Sequence, residues 1–118
     1  MKTVHYTEKD STKNKPHYTV NFFNEKDKFI GMYSIHSYYL YNVFVDKNMR
    51  KKGYCKKIVN HAVNRKKNLY LDVDPCNIGD IKCYKSCGFK FFKKLENYYN
   101  PVWGDDKPVQ LIHRYKHS

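Results

Sequence analysis

The residues with most to offer chemically run from Val45 to Cys55: Val45-Asp46-Lys47-Asn48-Met49-Arg50-Lys51-Lys52-Gly53-Tyr54-Cys55. An apolar strand passes into a basic turn, and the turn opens a helix. The first N–H groups of a helix lack intrahelical partners and carry a partial positive charge, so such a turn can cradle a phosphate. Gly53 lets the backbone approach an anion closely, and Arg50, Lys51 and Lys52 add charge. The run lacks the GxxxxGK[ST] pattern of a Walker loop. An ordinary strand-to-helix turn with a solvated basic edge has the same composition, so the residues alone leave both readings open.

The cysteines offer less. Cys76, Cys83 and Cys87 cluster, the last two four apart. That spacing matches neither a CxxC pair nor a zinc-ligand pattern, and no metal is expected. Cys83 and Cys87 are expected on one helix face as small buried residues.

The elements that must position these residues follow from periodicity. Tyr18, Val20 and Phe22 alternate with polar neighbours as a half-buried strand, and Phe29 to His36 forms a second strand, making a hairpin. Tyr39 to Val45 is nearly continuous in apolar residues, which predicts a strand buried on both faces. Tyr54, Ile58 and Ala62, with Cys55, Val59 and Val63 beside them, predict an amphipathic helix from about Gly53 to Arg65. Leu69, Leu71 and Val73 alternate in another strand. Strand, helix, strand implies a right-handed crossover and a parallel pair. Asn77 is placed as an N-cap with Asp80 returning a capping bond, and Gly88 as the C-cap of the helix holding Ile81, Tyr84 and Cys87. Phe89 to Leu95 and Val109 to Tyr115 read as closing strands. The fold class is a mixed α/β sheet flanked by two main helices, in a single domain over residues 1–118.

Composition narrows the function classes. A chain of 118 residues buries roughly 65% of its unfolded surface, enough for a core without staples. Aromatics at 17% exclude a solvated coil. No apolar run reaches the ~18 residues of a membrane span. Met1 to Lys15 carries no apolar signal segment, so a cytoplasmic location is expected. The net charge of +12 points to an anionic partner such as nucleic acid, a membrane surface or a phosphorylated cofactor. Yet 20 of the 23 basic residues are Lys, and Ala62 is the sole alanine. Abundant Lys, Asn, Tyr and Ile is the bias of an AT-rich genome, as in some viruses, and a solvated lysine surface accounts for much of the charge. Scarce Arg and the absence of an RNP-type aromatic pattern argue against nucleic acid.

Two motifs carry a resemblance. Arg50-x-x-Gly53-x-Cys55 after an apolar strand resembles the R/Q-x-x-G-x-G/A signature of the GNAT acetyltransferases. Leu71, Val73, Asn77, Tyr84, Gly88 and Phe89 are similar to that family's L-x-V-x-x-x-N…Y-x-x-x-G-F segment. The likeness extends from about Tyr39 to Tyr115. It implies acetyl-CoA as cosubstrate and direct acetyl transfer to an amine. It further implies that the backbone of Val43, Phe44 and Val45 pairs with the pantetheine amides, in a gap between splayed parallel strands. The amides of Arg50, Lys51, Lys52, Gly53, Tyr54 and Cys55 then cradle the pyrophosphate, and Asn77 contacts the cofactor. Tyr84 protonates or orients the departing thiolate. Two departures stand out: Cys55 occupies a position that favours Gly or Ala, and Lys51 one where Gly is frequent.

A finer resemblance concerns the acceptor. Asn97-Tyr98-Tyr99 and Gly104-Asp105-Asp106 are similar to the RimI-like protein N-terminal acetyltransferases. This implies that Tyr98 and Tyr99 line the acceptor groove, that Tyr39 assists catalysis, and that Asp72 stands where some members relay the amine's proton. A free α-amine reaches its neutral form at a cost about 3.4 kcal/mol lower than a lysine amine, which suits a site with no strong base in Tyr39 to Val45. The expected acceptor is therefore a peptide α-amine. The alternatives are a small amine or polyamine, with Asp72 the sole carboxylate placed near the gap, or a catalytically silent binding module. The family also places a strand and two helices before the first confident strand. Thr7 to Pro16 is too short and polar for both helices, so these are expected to be reduced or missing. No membrane partner is expected, and oligomeric state is not legible.

Overall fold

The computed structural model describes residues 17–95 and 109–113, and the backbone of 5–9. Seven strands and two helices occur in the order β1 (His5–Lys9), β2 (His17–Phe23), β3 (Phe29–His36), β4 (Tyr39–Val45), α1 (Tyr54–Arg65), β5 (Leu69–Val73), α2 (Ile78–Ser86), β6 (Lys90–Lys94) and β7 (Val109–His113). They build one mixed sheet with strand order β1-β2-β3-β4-β5-β7-β6. β4 and β5 are parallel, and the other neighbours antiparallel. The expected mixed α/β fold with two main helices is the fold found. β1 pairs directly with β2, and residues 10–16 alone connect them, which leaves no room for two intervening helices.

Burial follows the sequence periods. Ile58, Val59, Ala62 and Val63 form the buried stripe of α1, which packs on β3 and β4. Leu69, Leu71 and Val73 point into the same core while Tyr70 and Asp72 are half-buried on the opposite face. Each of these aliphatic side chains removed from water contributes roughly 1.5–3 kcal/mol. The closing turn of α2 forms a Schellman cap: Phe89 N–H donates to the Tyr84 carbonyl and Gly88 N–H to the Lys85 carbonyl.

One strand departs from expectation. The apolar run Tyr39 to Val45 predicts burial on both faces, but β4 buries fully only Leu40, and Tyr39 and Phe44 are 46% and 42% exposed. The central position of β4 hides one face under α1. Among the described residues no helix covers the other face, because both helices share one core cluster.

Candidate active site

The site begins with a defect in the sheet. Met32 pairs with Phe44 and Ser34 with Tyr41, so Asn42 and Val43 together oppose Tyr33. Asn42 takes up the extra residue with a positive φ of 51°. A bulge of this kind bends its strand and increases local twist. β4 therefore leaves β5 after a single ladder pairing, Tyr39 with Tyr70, with Tyr70 N–H donating to the Tyr38 carbonyl at 2.7 Å. Beyond that point the two parallel strands diverge toward their C-terminal ends. This is where ligands bind in open parallel sheets.

Two adjoining cavities occupy the divergence. The first, about 630 Å³, is bordered by Tyr39, Tyr41 and Val43 on β4, by Asp72 on β5 and by Tyr84 on α2. The second, about 470 Å³, lies under the basic turn and is bordered by Val43, Phe44, Val45, Arg50, Lys51, Gly53, Tyr54 and Cys55. Val43, Asn77 and Asp80 border both, so the two form one continuous trough. The residues expected to hold a cofactor line its basic end, and Tyr39, Asp72 and Tyr84 line the other. Lys52 is exposed in the same turn but lies outside the lining. Tyr98 and Tyr99 fall outside the described residues.

The basic turn has its own internal logic. Asp46 caps a short 3-10 turn, Lys47–Met49, by accepting from Asn48 N–H at 3.1 Å. Arg50 Nε donates to the Val45 carbonyl at 3.1 Å, tying the turn back to the end of β4. Lys51 has φ 64° and Gly53 φ 81°, both in the left-handed region. That conformation explains why glycine is favoured where Lys51 stands: a side chain there costs roughly 1–2 kcal/mol. Gly53 is the N-cap of α1 and contributes no side-chain bond, so the first amides of the helix are left for another acceptor.

Asn77 caps α2 as expected, its Oδ1 accepting from Asp80 N–H at 3.2 Å. The return bond differs from expectation. Asp80 Oδ2 accepts from the Asn77 side-chain Nδ2 at 2.6 Å, because Asn77 N–H is already given to the Asp74 carbonyl.

The cysteines correct the sequence reading. Cys87 is buried, but Cys83 is bonded in a disulfide to Cys55, with Cα atoms 6.5 Å apart. The bridge joins the first turn of α1, in the basic cradle, to the residue preceding Tyr84. Spacing along the chain gave no sign of it, because the pairing depends on how α1 packs against α2.

Tyr84 is 6% exposed, and burial together with the Asp80 charge pushes its phenol far above the ordinary tyrosine range. It therefore stays neutral, able to donate a hydrogen bond but a weaker acid than a free tyrosine. Burial also raises the Asp72 carboxyl, opposed by a hydrogen bond from Gln110 and the charge of Lys93. Gln110, which sequence reasoning missed, stands opposite Asp72 on β7. Its only sequence signal is a polar residue inside the apolar run Val109 to Ile112. Asp74 and Asp80 border the gap as well, so Asp72 is one of three carboxylates there among the described residues.

A sheet splayed beside a basic helix-opening turn, with a buried phenol between, offers a long trough with one basic end and one end lined by carboxylates and tyrosines. The acetyltransferase (GNAT) family's sequence pattern matches residues 2–89, and the chain belongs to that family. No curated protein matches the chain. Among solved structures, it is similar to a chimeric spermidine N-acetyltransferase based on the Vibrio cholerae enzyme, with TM-score 0.75 and 13% identity over 87% of this chain and 69% of that one. It is also similar to the Vibrio cholerae spermidine N-acetyltransferase in complex with CoA and spermine, with TM-score 0.71 and 16% identity over 86% of this chain and 66% of that one. The chain thus spans about two thirds of the length of these neighbours, which at such identity share its fold.

Proposed function

We propose that the chain catalyses direct transfer of an acetyl group from acetyl-CoA to a free amine. The continuous trough between β4 and β5 carries this reading: a basic, amide-lined end suits a pyrophosphate, and the other end gathers Tyr39, Asp72 and Tyr84. The pantetheine arm would lie along the β4 edge at Val43 to Val45, which has no ladder partner on its β5 side. The amine nitrogen attacks the thioester carbonyl carbon, the C–S bond breaks, and the thiolate takes a proton from the Tyr84 hydroxyl. The amine's surplus proton leaves toward Asp72.

The acceptor reading that the described residues support best is a small cationic amine, polyamines included. Asp72, Asp74 and Asp80 give the gap a local negative lining within a chain of net charge +12. At physiological salt, distant surface lysines are screened beyond ~8 Å, so the nearby carboxylates dominate. A peptide α-amine is the second reading. Asp74 and Asp80 are partly engaged by Cys76 N–H and Asn77, which leaves fewer charges for a polycation, and Tyr39 and Phe44 are exposed on the face of β4 that no described helix covers.

Calorimetry with coenzyme A tests the cosubstrate. Binding is expected for the wild type and weakened in Arg50→Glu, and no binding to the wild type would defeat the reading. A competition assay of spermidine against peptides with free N-termini then decides the acceptor. Faster acetylation of any such peptide overturns the small-amine reading and leaves the reaction class standing.

A further inference from the structure

Gln110 is a buried polar side chain, 4% exposed, on the β7 strand beside β5. Its Nε2 lies 3.1 Å from Asp72 Oδ1 and 3.5 Å from the Tyr39 hydroxyl oxygen. One amide nitrogen thus reaches a residue on each lip of the gap, just where β4 and β5 part. A carboxamide NH₂ has two hydrogens and only donates. An ionised carboxylate only accepts, so the amide must present its nitrogen to Asp72. Its second hydrogen faces the Tyr39 oxygen, which must then accept, and the Tyr39 proton is directed away from Gln110. Leaving such an amide buried without partners would cost about 1–3 kcal/mol, so the arrangement holds both partners in place.

We propose that Gln110 is a positioning residue that fixes Asp72 as the proton acceptor for the amine and leaves the Tyr39 hydroxyl free to donate into the gap. The inference rests on the acetyl-transfer reading above. In chemical terms, the amide donor favours the ionised form of Asp72 against the burial that disfavours it. Lys93 from β6 also bears on Asp72, and the other described titratable groups that border the gap are Tyr39 and Tyr41 from β4, His36 at the end of β3, Asp74, Asp80 and Tyr84. Lys93 acts in the same direction as Gln110, by charge instead of contact. Among the described residues, Gln110 is the side chain with hydrogen bonds to both Asp72 and Tyr39.

The test is the titration of the Asp72 side-chain carboxyl carbon by NMR in the wild type and in Gln110→Met, which keeps volume and removes the donor. The carboxyl pKa is expected to rise by about one unit, the effect of losing a hydrogen bond to a charged group. The acid limb of kcat/KM for the amine should move to higher pH by the same amount, with KM for acetyl-CoA unchanged. Should Gln110→Met not fold, Gln110→Glu reads the same quantity and is expected to shift it further, because it adds a like charge. An unmoved Asp72 carboxyl overturns the inference, and so does a shifted carboxyl with an unmoved acid limb. Failure to acetylate any amine would instead defeat the functional reading, and the carboxyl titration, which needs no turnover, keeps the two failures apart.

Discussion

Asp72 is half-buried and Tyr84 buried, and burial serves the two acids differently. Tyr84 is neutral at working pH, and its raised pKa makes the phenol a weaker acid that keeps its proton and serves the departing thiolate first as a hydrogen-bond donor. Tyr84→Phe should therefore lower kcat by about 10²-fold, at the low end of what a positioned general acid contributes. KM for acetyl-CoA should barely change, and steady-state kinetics at saturating amine would show the split. Asp72 must ionise to accept a proton, and ionisation in its half-buried site opposes folding. Its folded pKa is raised, so the folded state holds that proton more tightly than the unfolded chain. The associated stability is complete below the ordinary value of 3.8 and is lost as pH rises through the folded pKa. Asp72→Asn should accordingly raise the melting temperature at pH 7 and give no gain below about pH 3.5, where the carboxyl is protonated in both states. A melting temperature lowered at pH 7 would count against this account.

The elements that carry the cradle are strained at one point and tethered at another. Lys51 holds a left-handed conformation that Gly adopts freely. Lys51→Gly removes a backbone cost of roughly 1–2 kcal/mol and adds about 0.4–1 kcal/mol of unfolded-state entropy, for a net gain near 0.5–1 kcal/mol in urea denaturation. If phosphate is held chiefly by backbone amides, coenzyme A affinity should stay within about threefold, a difference of about 0.7 kcal/mol. The tether is the disulfide between α1 and α2, closing a separation of 28 residues. Closing a loop of that length is worth about 3–4 kcal/mol by restriction of the unfolded chain. Reduction, or Cys83→Ala, should lower unfolding free energy by that amount. It should also weaken coenzyme A binding, because Cys55 borders the cradle. Identical denaturation curves with and without reductant would exclude the bridge as a stabilising element.

At the scale of the whole molecule, the positive surface and the acidic gap act at different ranges. Coenzyme A is polyanionic, and a chain of net charge +12 should attract it over distance. Raising ionic strength from about 0.01 M to about 1 M shortens the Debye length from about 30 Å to 3 Å. The value of kcat/KM for acetyl-CoA should fall severalfold over that range, mostly through KM. A flat salt profile would mean that the lysine surface has no part in capture. No described helix is long and apolar enough to cross a membrane.

Much of the fold is legible in the sequence. The ranges of β3 and β4, the stripe of α1, the caps of α2 and the basic turn all follow from local periods and local hydrogen bonds, which neighbouring residues decide among themselves. Motif spacing names Val43 to Val45, Arg50, Lys51, Gly53 to Cys55, Asn77, Tyr39, Asp72 and Tyr84, which border one trough, whereas Lys52 stays outside it. The tertiary structure alone decided the rest. The exposed face of β4 depends on which layer covers it, since an apolar run has the same sequence whether buried once or twice. Gln110 gains its place beside Asp72 only because β7 inserts between β5 and β6, an order no local pattern encodes. The Cys55–Cys83 pairing arises from the packing of α1 against α2, and the described carboxylates around the gap come together because Asp72 and Asp74, at the end of β5, and Asp80 on α2 border the same cavity. Chain-local interactions set what each segment becomes, and packing between segments sets which side chains meet.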